Sequence, residues 1–368
     1  MISSVDKTSL NEAFLALIRL GIGHPVSVLP DRIDWDALKD LAAGQELSAI
    51  LADGVVALAN LGEMKEGRAA DPGKTKQWIG SVYILSEQQY LDYRDCLKKL
   101  AHFYETQGHK MMVLKGYGIG LNYPRPEHRP CGDIDIWLFG KYKEADDAMR
   151  REMGIPIDAN HHHHTVFSFL GVSVENHYDF VNVHYGHRNA ELERIFKELA
   201  ADDSWSVDVD GQRVYLPSPN LHALFVLRHS QLHFASTGIC LRMLLDWGMF
   251  VEKNRDQVDW PWFVGVCNKF HMTKFLACMN AICIEDLGFD ESAFSGMPCL
   301  AVEKDRVLND ILAPEFVGET PSRFFPRALF KFRRWRANAW KYRLCFREPR
   351  LLALFVGIWS HLLKPSSI

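Results

Sequence analysis

Several features are scarce in this sequence. None of the eight cysteines, at 96, 131, 240, 267, 278, 283, 299 and 345, belongs to a Cys-x-x-Cys pair. Scattered thiols of this kind read as reduced and mostly buried, which makes a reducing cytoplasm the expected compartment. The opening residues, MISSVDKTSLNEAF, lack a cationic segment followed by an apolar one, so no secretory leader is expected. No uninterrupted apolar stretch reaches the roughly 18–20 residues that a spanning helix needs. Positive charge is not in excess: 42 Lys and Arg against 46 Asp and Glu leave a formal net charge of −4. That balance argues against broad nucleic-acid binding, which wants a basic footprint. Low-complexity tracts and internal repeats are absent as well.

What is present is an ordinary globular composition, 48% hydrophobic and 24% charged over 368 residues, enough for two or three sizeable cores. The first hundred residues carry helical periodicity: Leu10, Phe14, Leu17, Ile18 and Ile22, then a helix opened by Asp34 as N-cap, then 47–61. A polar Gly/Pro loop is expected over 62–75 and one long helix over 77–107, ending at Gly108.

From Lys110 the texture changes. Short buried strands are expected at 111–114 and 134–138, a short helix at 117–121 and a longer one at 144–153. Strands at 166–170 and 172–178 flank Gly171, helix returns at 191–199, and Asp210-Gly211 joins 205–209 to 212–216 as a hairpin. Beyond Ser218-Pro219, a cap and first helical residue, the chain reads as helices at 221–234, 240–252, 260–270, 274–287 and 302–312. The division that follows is an N-terminal helical region 1–107, an α+β core 108–216 and a C-terminal helical region 217–368.

The chemistry concentrates in 109–139. Asp133 and Asp135 stand two apart in a β-branched and aromatic run, so on a strand both carboxylates share a face. They repel each other and need a cation between them, for which a hydrated Mg²⁺ is the usual answer beside a phosphate-bearing substrate.

These residues resemble the nucleotidyltransferase superfamily with the DNA polymerase β-like palm, and most of all an uncharacterised bacterial nucleotidyltransferase family. The matching elements are Leu114-Lys115-Gly116, Tyr123-Pro124, Arg129, Gly132-Asp133-Ile134-Asp135 and Glu175-Asn176-His177, with 241–247 similar to the family's helical C-terminal region. The resemblance implies an α+β nucleotidyltransferase-type mixed sheet with flanking helices. It also implies transfer of a nucleoside monophosphate from an NTP, ATP first, to a hydroxyl or amine acceptor. Asp133, Asp135 and Glu175 would be the catalytic and metal-holding residues for Mg²⁺ or Mn²⁺, with Glu175 the third carboxylate on a neighbouring strand. Lys115, Gly116, Arg129 and His177 would serve nucleotide binding: Lys115 as a point charge, Gly116 as a close backbone approach to phosphate, Arg129 as a bidentate contact. The superfamily's Gly-Gly/Ser turn is replaced here by Lys115-Gly116-Tyr117-Gly118. That departure motivates an alternative, a nucleotide-binding module without catalysis.

Each feature has a plainer reading. Asp-x-Asp pairs occur at strand ends without function, and Asp179 competes with Glu175 for the third-carboxylate role. Histidines 161–164 cannot all converge on one ion, because successive side chains diverge on strand or helix; a loop into the following strand is the plainer account, with His164 closest to the site. Arg242 and Asp246, four apart, suit a helix ion pair, while His229 and His233 suit a cleft wall. The segment 333–363, rich in Arg, Lys and aromatics, suits either peripheral contact with an anionic membrane or a helix docked on its own domain. The expected partners are the nucleotide and an unidentified acceptor, with no obligate protein partner.

Overall fold

The computed structural model describes residues 4–26, 29–30, 32–62, 72–183, 187–314, 316, 321 and 323–347. Three helices come first: α1 (Ser4–Gly21), α2 (Trp35–Gly44) and α3 (Ser48–Asn60). Asp34 caps α2 as its residue type suggests, accepting a hydrogen bond from the Ala37 amide at 3.1 Å. Gly54 lets α3 lie directly on α1, because a Cβ there would sit 1.9 Å from the Leu17 carbonyl oxygen.

Helix α4 (Pro72–Thr106) starts earlier than its apolar periodicity suggests. Residues 72–75, expected in the polar loop, are its first turn, where proline loses nothing by lacking an N–H. The rest of the expected loop, 63–71, lies outside the described residues.

Six strands follow, with helices between them: β1 (Met112–Val113), α5 (Tyr117–Gly120), β2 (Ile134–Trp137), α6 (Tyr142–Met153), β3 (His164–Phe169), β4 (Val172–His177), α7 (His187–Leu199), β5 (Ser206–Val209) and β6 (Gln212–Tyr215). The sheet runs β3-β4-β2-β1-β6-β5. β2 pairs parallel with β4 and β1 parallel with β6, while β1 and β2 are antiparallel. The outer pairs are tight hairpins: Leu170 and Gly171 take φ 51° and 84°, and Asp210 and Gly211 take the same values. The Asp-Gly hairpin is as expected. β3 begins two residues earlier than expected, because His164 pairs with His177 across the hairpin. α7 likewise begins earlier than 191.

The sheet separates two apolar layers. Ile134, Ile136, Val113, Val174 and Val214 face Tyr93, Leu97, Leu100 and Tyr104 of α4 and Met149 of α6. The opposite face carries Met112, Leu114 and Trp137 into a much larger cluster. That cluster is built with α8 (Pro219–Ser236), α9 (Leu241–Asn254), α10 (Trp260–Lys269), α11 (Thr273–Ala281), α12 (Lys304–Leu312) and α14 (Ala339–Cys345), with α13 (Phe324–Ala337) lying between the last two in the chain. The helix expected over 274–287 is α11 followed by a π turn, Ile282–Asp286.

Helices from both ends of the chain share this cluster: Phe14, Leu17 and Ile50 lie in it with Trp247, Phe250 and Phe289. The Arg19 side chain adds hydrogen bonds to the carbonyls of Glu285 and Asp286, the latter at 2.6 Å. Trp340, Leu344 and Cys345 of α14 are buried in the cluster, and Lys341 pairs with Asp310 at 2.5 Å, so this stretch of the basic tail docks on its own fold. On α13, Leu329 and Phe332 are exposed. The apolar segment 351–363 lies outside the described residues. Among the described residues, no helix is long and apolar enough to cross a membrane.

Candidate active site

β1 leads straight into the Lys115-Gly116 turn. Gly116 adopts φ 60° and ψ −103°, left-handed backbone that favours glycine, and a Cβ there would meet the Tyr93 hydroxyl at 2.6 Å. That hydroxyl donates to the Asp133 carbonyl at 3.2 Å, so Tyr93 of α4 braces both the turn and the start of the Asp strand.

Strand pairing sets the carboxylates. Asp135 sits opposite Glu175, and Trp137 opposite His177, on the parallel strands β2 and β4. Adjacent parallel strands keep facing residues on one side, so Asp135, Glu175 and His177 converge. Asp133 lies one residue ahead of β2, and its Oδ2 still reaches within 3.8 Å of Lys115 Nζ. Lys115 Nζ lies 3.1 Å from Asp135 Oδ1, and 3.3 Å from His229 Nε2 of α8. His177 Nε2 is 3.1 Å from Asp135 Oδ1 and 3.6 Å from Glu175 Oε2.

Electrostatics follow from these contacts. Burial alone would push the Asp135 carboxyl up, but Lys115 and the hydrogen bond with His177 outweigh it and hold it well below the usual carboxylate range. Asp133 goes the other way: burial and the neighbouring Asp135 charge raise it, against Lys115. Burial opposes charge on His177, yet hydrogen bonding to Asp135 and Glu175 carries it up to about 9. Burial likewise opposes charge on Lys115, yet Asp135, Asp133 and Glu175 keep it above the ordinary lysine value. His229 is driven well below the usual imidazole value by burial and by Lys115, which leaves it neutral beside the ammonium.

These residues open into a cleft of ≈ 450 Å³ lined also by His163, His164, Phe225, His233, Arg242 and Asp246. His229 and His233 of α8 face it, with ring centroids 4.4 Å apart. Arg129 lines the cleft, but its bidentate fork is already engaged. Nε and Nη2 donate to the two oxygens of Asp246 at 2.9 and 2.8 Å. Arg242 donates to the same carboxylate at 2.8 Å, as its i,i+4 spacing suggested, and Tyr123 Oη at 2.7 Å. The phosphate contact expected of Arg129 is therefore met by a carboxylate from α9, which neutralises a guanidinium only 4% exposed. Asp179, the rival to Glu175, pairs instead with Lys197 at 2.5 Å.

Of the four adjacent histidines, His164 reaches the site as expected, with Nδ1 3.8 Å from Glu175 Oε2. His163 reaches it too, which sequence reasoning missed. The divergence rule applies within a strand, and His163 lies in the bend just before β3. Burial pushes both rings down to about 3.

Among the described residues, two sets of donors are close enough to hold a metal ion: Asp135, Glu175 and His177, and His163, His164 and His177, each with ligand atoms within 4.8 Å of one another. Asp135 Oδ2 is buried and makes no hydrogen bond, so one oxygen of the most enclosed carboxylate is left to a group not supplied by the chain. The donors present thus fit a divalent cation.

A six-stranded mixed sheet set among helices, with carboxylates gathered from neighbouring parallel strands, is a nucleotidyltransferase-type α+β fold. Residues 31–287, well over half of the chain, match the model of an uncharacterised nucleotidyltransferase family. The chain belongs to that family and is a nucleotidyltransferase. No curated protein and no solved structure matches it.

Proposed function

We propose that the chain transfers a nucleoside monophosphate from an NTP, ATP first, to a hydroxyl or amine acceptor, with Asp133, Asp135 and Glu175 holding Mg²⁺. The observation that carries this reading is the convergence of Asp135 and Glu175 from paired positions on β2 and β4, with Asp135 Oδ2 buried and unpartnered. In the reaction the acceptor oxygen or nitrogen bonds to the α-phosphorus. The bond from that phosphorus to the α–β bridging oxygen breaks, and pyrophosphate leaves with its electron pair. Bound at these carboxylates, Mg²⁺ would neutralise the triphosphate and favour the deprotonated acceptor.

The chain's own residues divide the remaining work. Lys115 and the proton on His177 offset the carboxylate charge, which would otherwise repel a polyphosphate. Glu175, the most accessible member of the paired set, is placed to take the acceptor proton. Arg129 acts as a positioning residue, joining the Asp strand to α9 through Asp246. The test is pyrophosphate release from each NTP in the presence of Mg²⁺ across an acceptor screen, comparing the native chain with Asp133→Asn. Full turnover in that variant would refute the assignment.

One observation favours the second reading, a module that binds nucleotide without catalysis. Lys115 Nζ stands between Asp133 and Asp135, at 3.8 and 3.1 Å, so the chain supplies a cation of its own where two like charges meet. Calorimetry showing NTP binding, with no pyrophosphate released for any acceptor, would select that reading.

A further inference from the structure

We propose that His163, His164 and His177 form a binding site for one transition-metal dication of the zinc class, adjoining the carboxylate cluster and sharing His177 with it. The inference stands apart from the transfer reaction and concerns which ion the cleft retains.

Backbone structure places all three ligands. His164 and His177 are cross-strand partners on β3 and β4, so hairpin register alone brings two rings to one side. His163 is held just ahead of β3 by its carbonyl, which accepts from the amides of Tyr178 and Asp179 at 3.0 and 3.1 Å. That anchoring ties the residue before β3 to the residues that follow β4. The His163 and His164 rings meet edge-on, 4.4 Å apart at 89°, and the His177 ring lies 5.7 and 5.2 Å from them.

One nitrogen from each ring falls within 4.8 Å of the others. A four-coordinate ion with bonds of about 2.0–2.1 Å needs its donors roughly 3.4 Å apart, a closure that small ring rotations supply. His163 Nδ1 and His164 Nδ1 are buried and make no hydrogen bond. Two buried ring nitrogens without a partner cost free energy that a bound ion would offset. Glu175 Oε2 lies 3.8 Å from His164 Nδ1 and 3.6 Å from His177 Nε2, the nearest carboxylate to two of the three rings and the candidate fourth ligand.

The donor chemistry selects the ion. Three imidazoles and one carboxylate suit Zn²⁺, Co²⁺ or Ni²⁺, whereas Mg²⁺ demands an octahedron of oxygens. Asp133 and Asp135 offer that harder chemistry a short distance away. The cleft thus holds two neighbouring sites of opposite preference, with His177 and Glu175 common to both, and His177 releases its proton when the transition metal binds.

The test uses full-length protein without an added histidine tag, stripped with a chelator and titrated with Co²⁺, whose visible absorption reports nitrogen-rich four- or five-coordination. One equivalent should bind and give that absorption, and a large excess of Mg²⁺ should not remove it. His163→Gln and His164→Gln, checked for native thermal unfolding, should each weaken binding by at least about 10-fold, the lower bound for loss of even a supporting partner. His161→Gln/His162→Gln and Asp133→Asn should retain it, and Zn²⁺ should displace Co²⁺. The inference fails if Mg²⁺ abolishes the signal, if no Co²⁺ binds, or if binding follows His161 and His162 rather than His163 and His164. Because the readout is spectroscopic, none of these results bears on whether NTP turnover occurs.

Discussion

Replacing the two aspartates one at a time separates the charge of the site from the integrity of the fold. The Asp135 side chain is 1% exposed, with Lys115 Nζ and His177 Nε2 each 3.1 Å from Oδ1. Asp135→Asn would leave two buried cations facing a neutral amide, and breaking a buried pair in this way costs about 3–5 kcal/mol. That is a large part of the ~5–15 kcal/mol by which folded domains exceed their unfolded chains. Linkage points the same way. A carboxyl held below its ordinary value contributes stability above that value and loses it as pH falls through the folded value, and Asp135 is such a group. Asp133 is raised instead, its side chain is 42% exposed, and Lys115 is 3.8 Å away. Removing its charge removes something the fold disfavours, so Asp133→Asn should alter stability by no more than about 1 kcal/mol. Urea titrations followed by circular dichroism at neutral pH should show a much lower midpoint for Asp135→Asn and a native one for Asp133→Asn. Lys115→Met/Asp135→Asn should recover part of the loss, since one stranded cation is gone. Equal losses for the two single variants would refute the reasoning. Asp133→Asn is accordingly the cleaner probe of transfer.

Two further outcomes follow from the geometry. Gly116→Ala should cost about 1–3 kcal/mol in urea denaturation, because φ 60° strains an alanine and its Cβ would meet the Tyr93 hydroxyl at 2.6 Å; an unchanged midpoint would contradict the brace. His222 is held down to about 4 by burial, against the attraction of Asp246, so it is neutral in the fold and binds a proton on unfolding below about 6.5. Its contribution is complete above that value and falls by up to about 3 kcal/mol as pH drops toward 4, and His222→Gln should flatten the stability profile across this window.

Much of the site was legible because its signals are local. Asp135, Glu175 and His177 lie in two short strands, with Asp133 just ahead of the first, whose alternation and flanking turns could be read directly, and strand pairing brings the three together. The Asp210-Gly211 turn and the Ser218-Pro219 start of α8 are equally local. What could not be read depends on distant pairing. Arg129 and Asp246 are 117 positions apart, so an arginine suited to phosphate gave no sign that it already had a carboxylate. Packing of α1 and α3 with α9 and the π turn after α11 was hidden for the same reason: each helix shows an apolar face but not its partner. His163 sits in a bend ahead of β3, where no strand or helix period tells which way a side chain points.

The knot of Tyr123, Arg129 and Arg242 on Asp246 also constrains how substrates arrive. It rivets α9 to the segment leading into β2 by three charge-assisted hydrogen bonds of 2.7 to 2.9 Å, while Arg242 braces the same carboxylate from within α9. Prying that seam apart would strand ions in an enclosed place, so the cleft does not yawn open there. His163, His164 and His233 line the same cleft and take no part in the knot, so fitting a ligand falls to side chains such as these rather than to a parting of the seam.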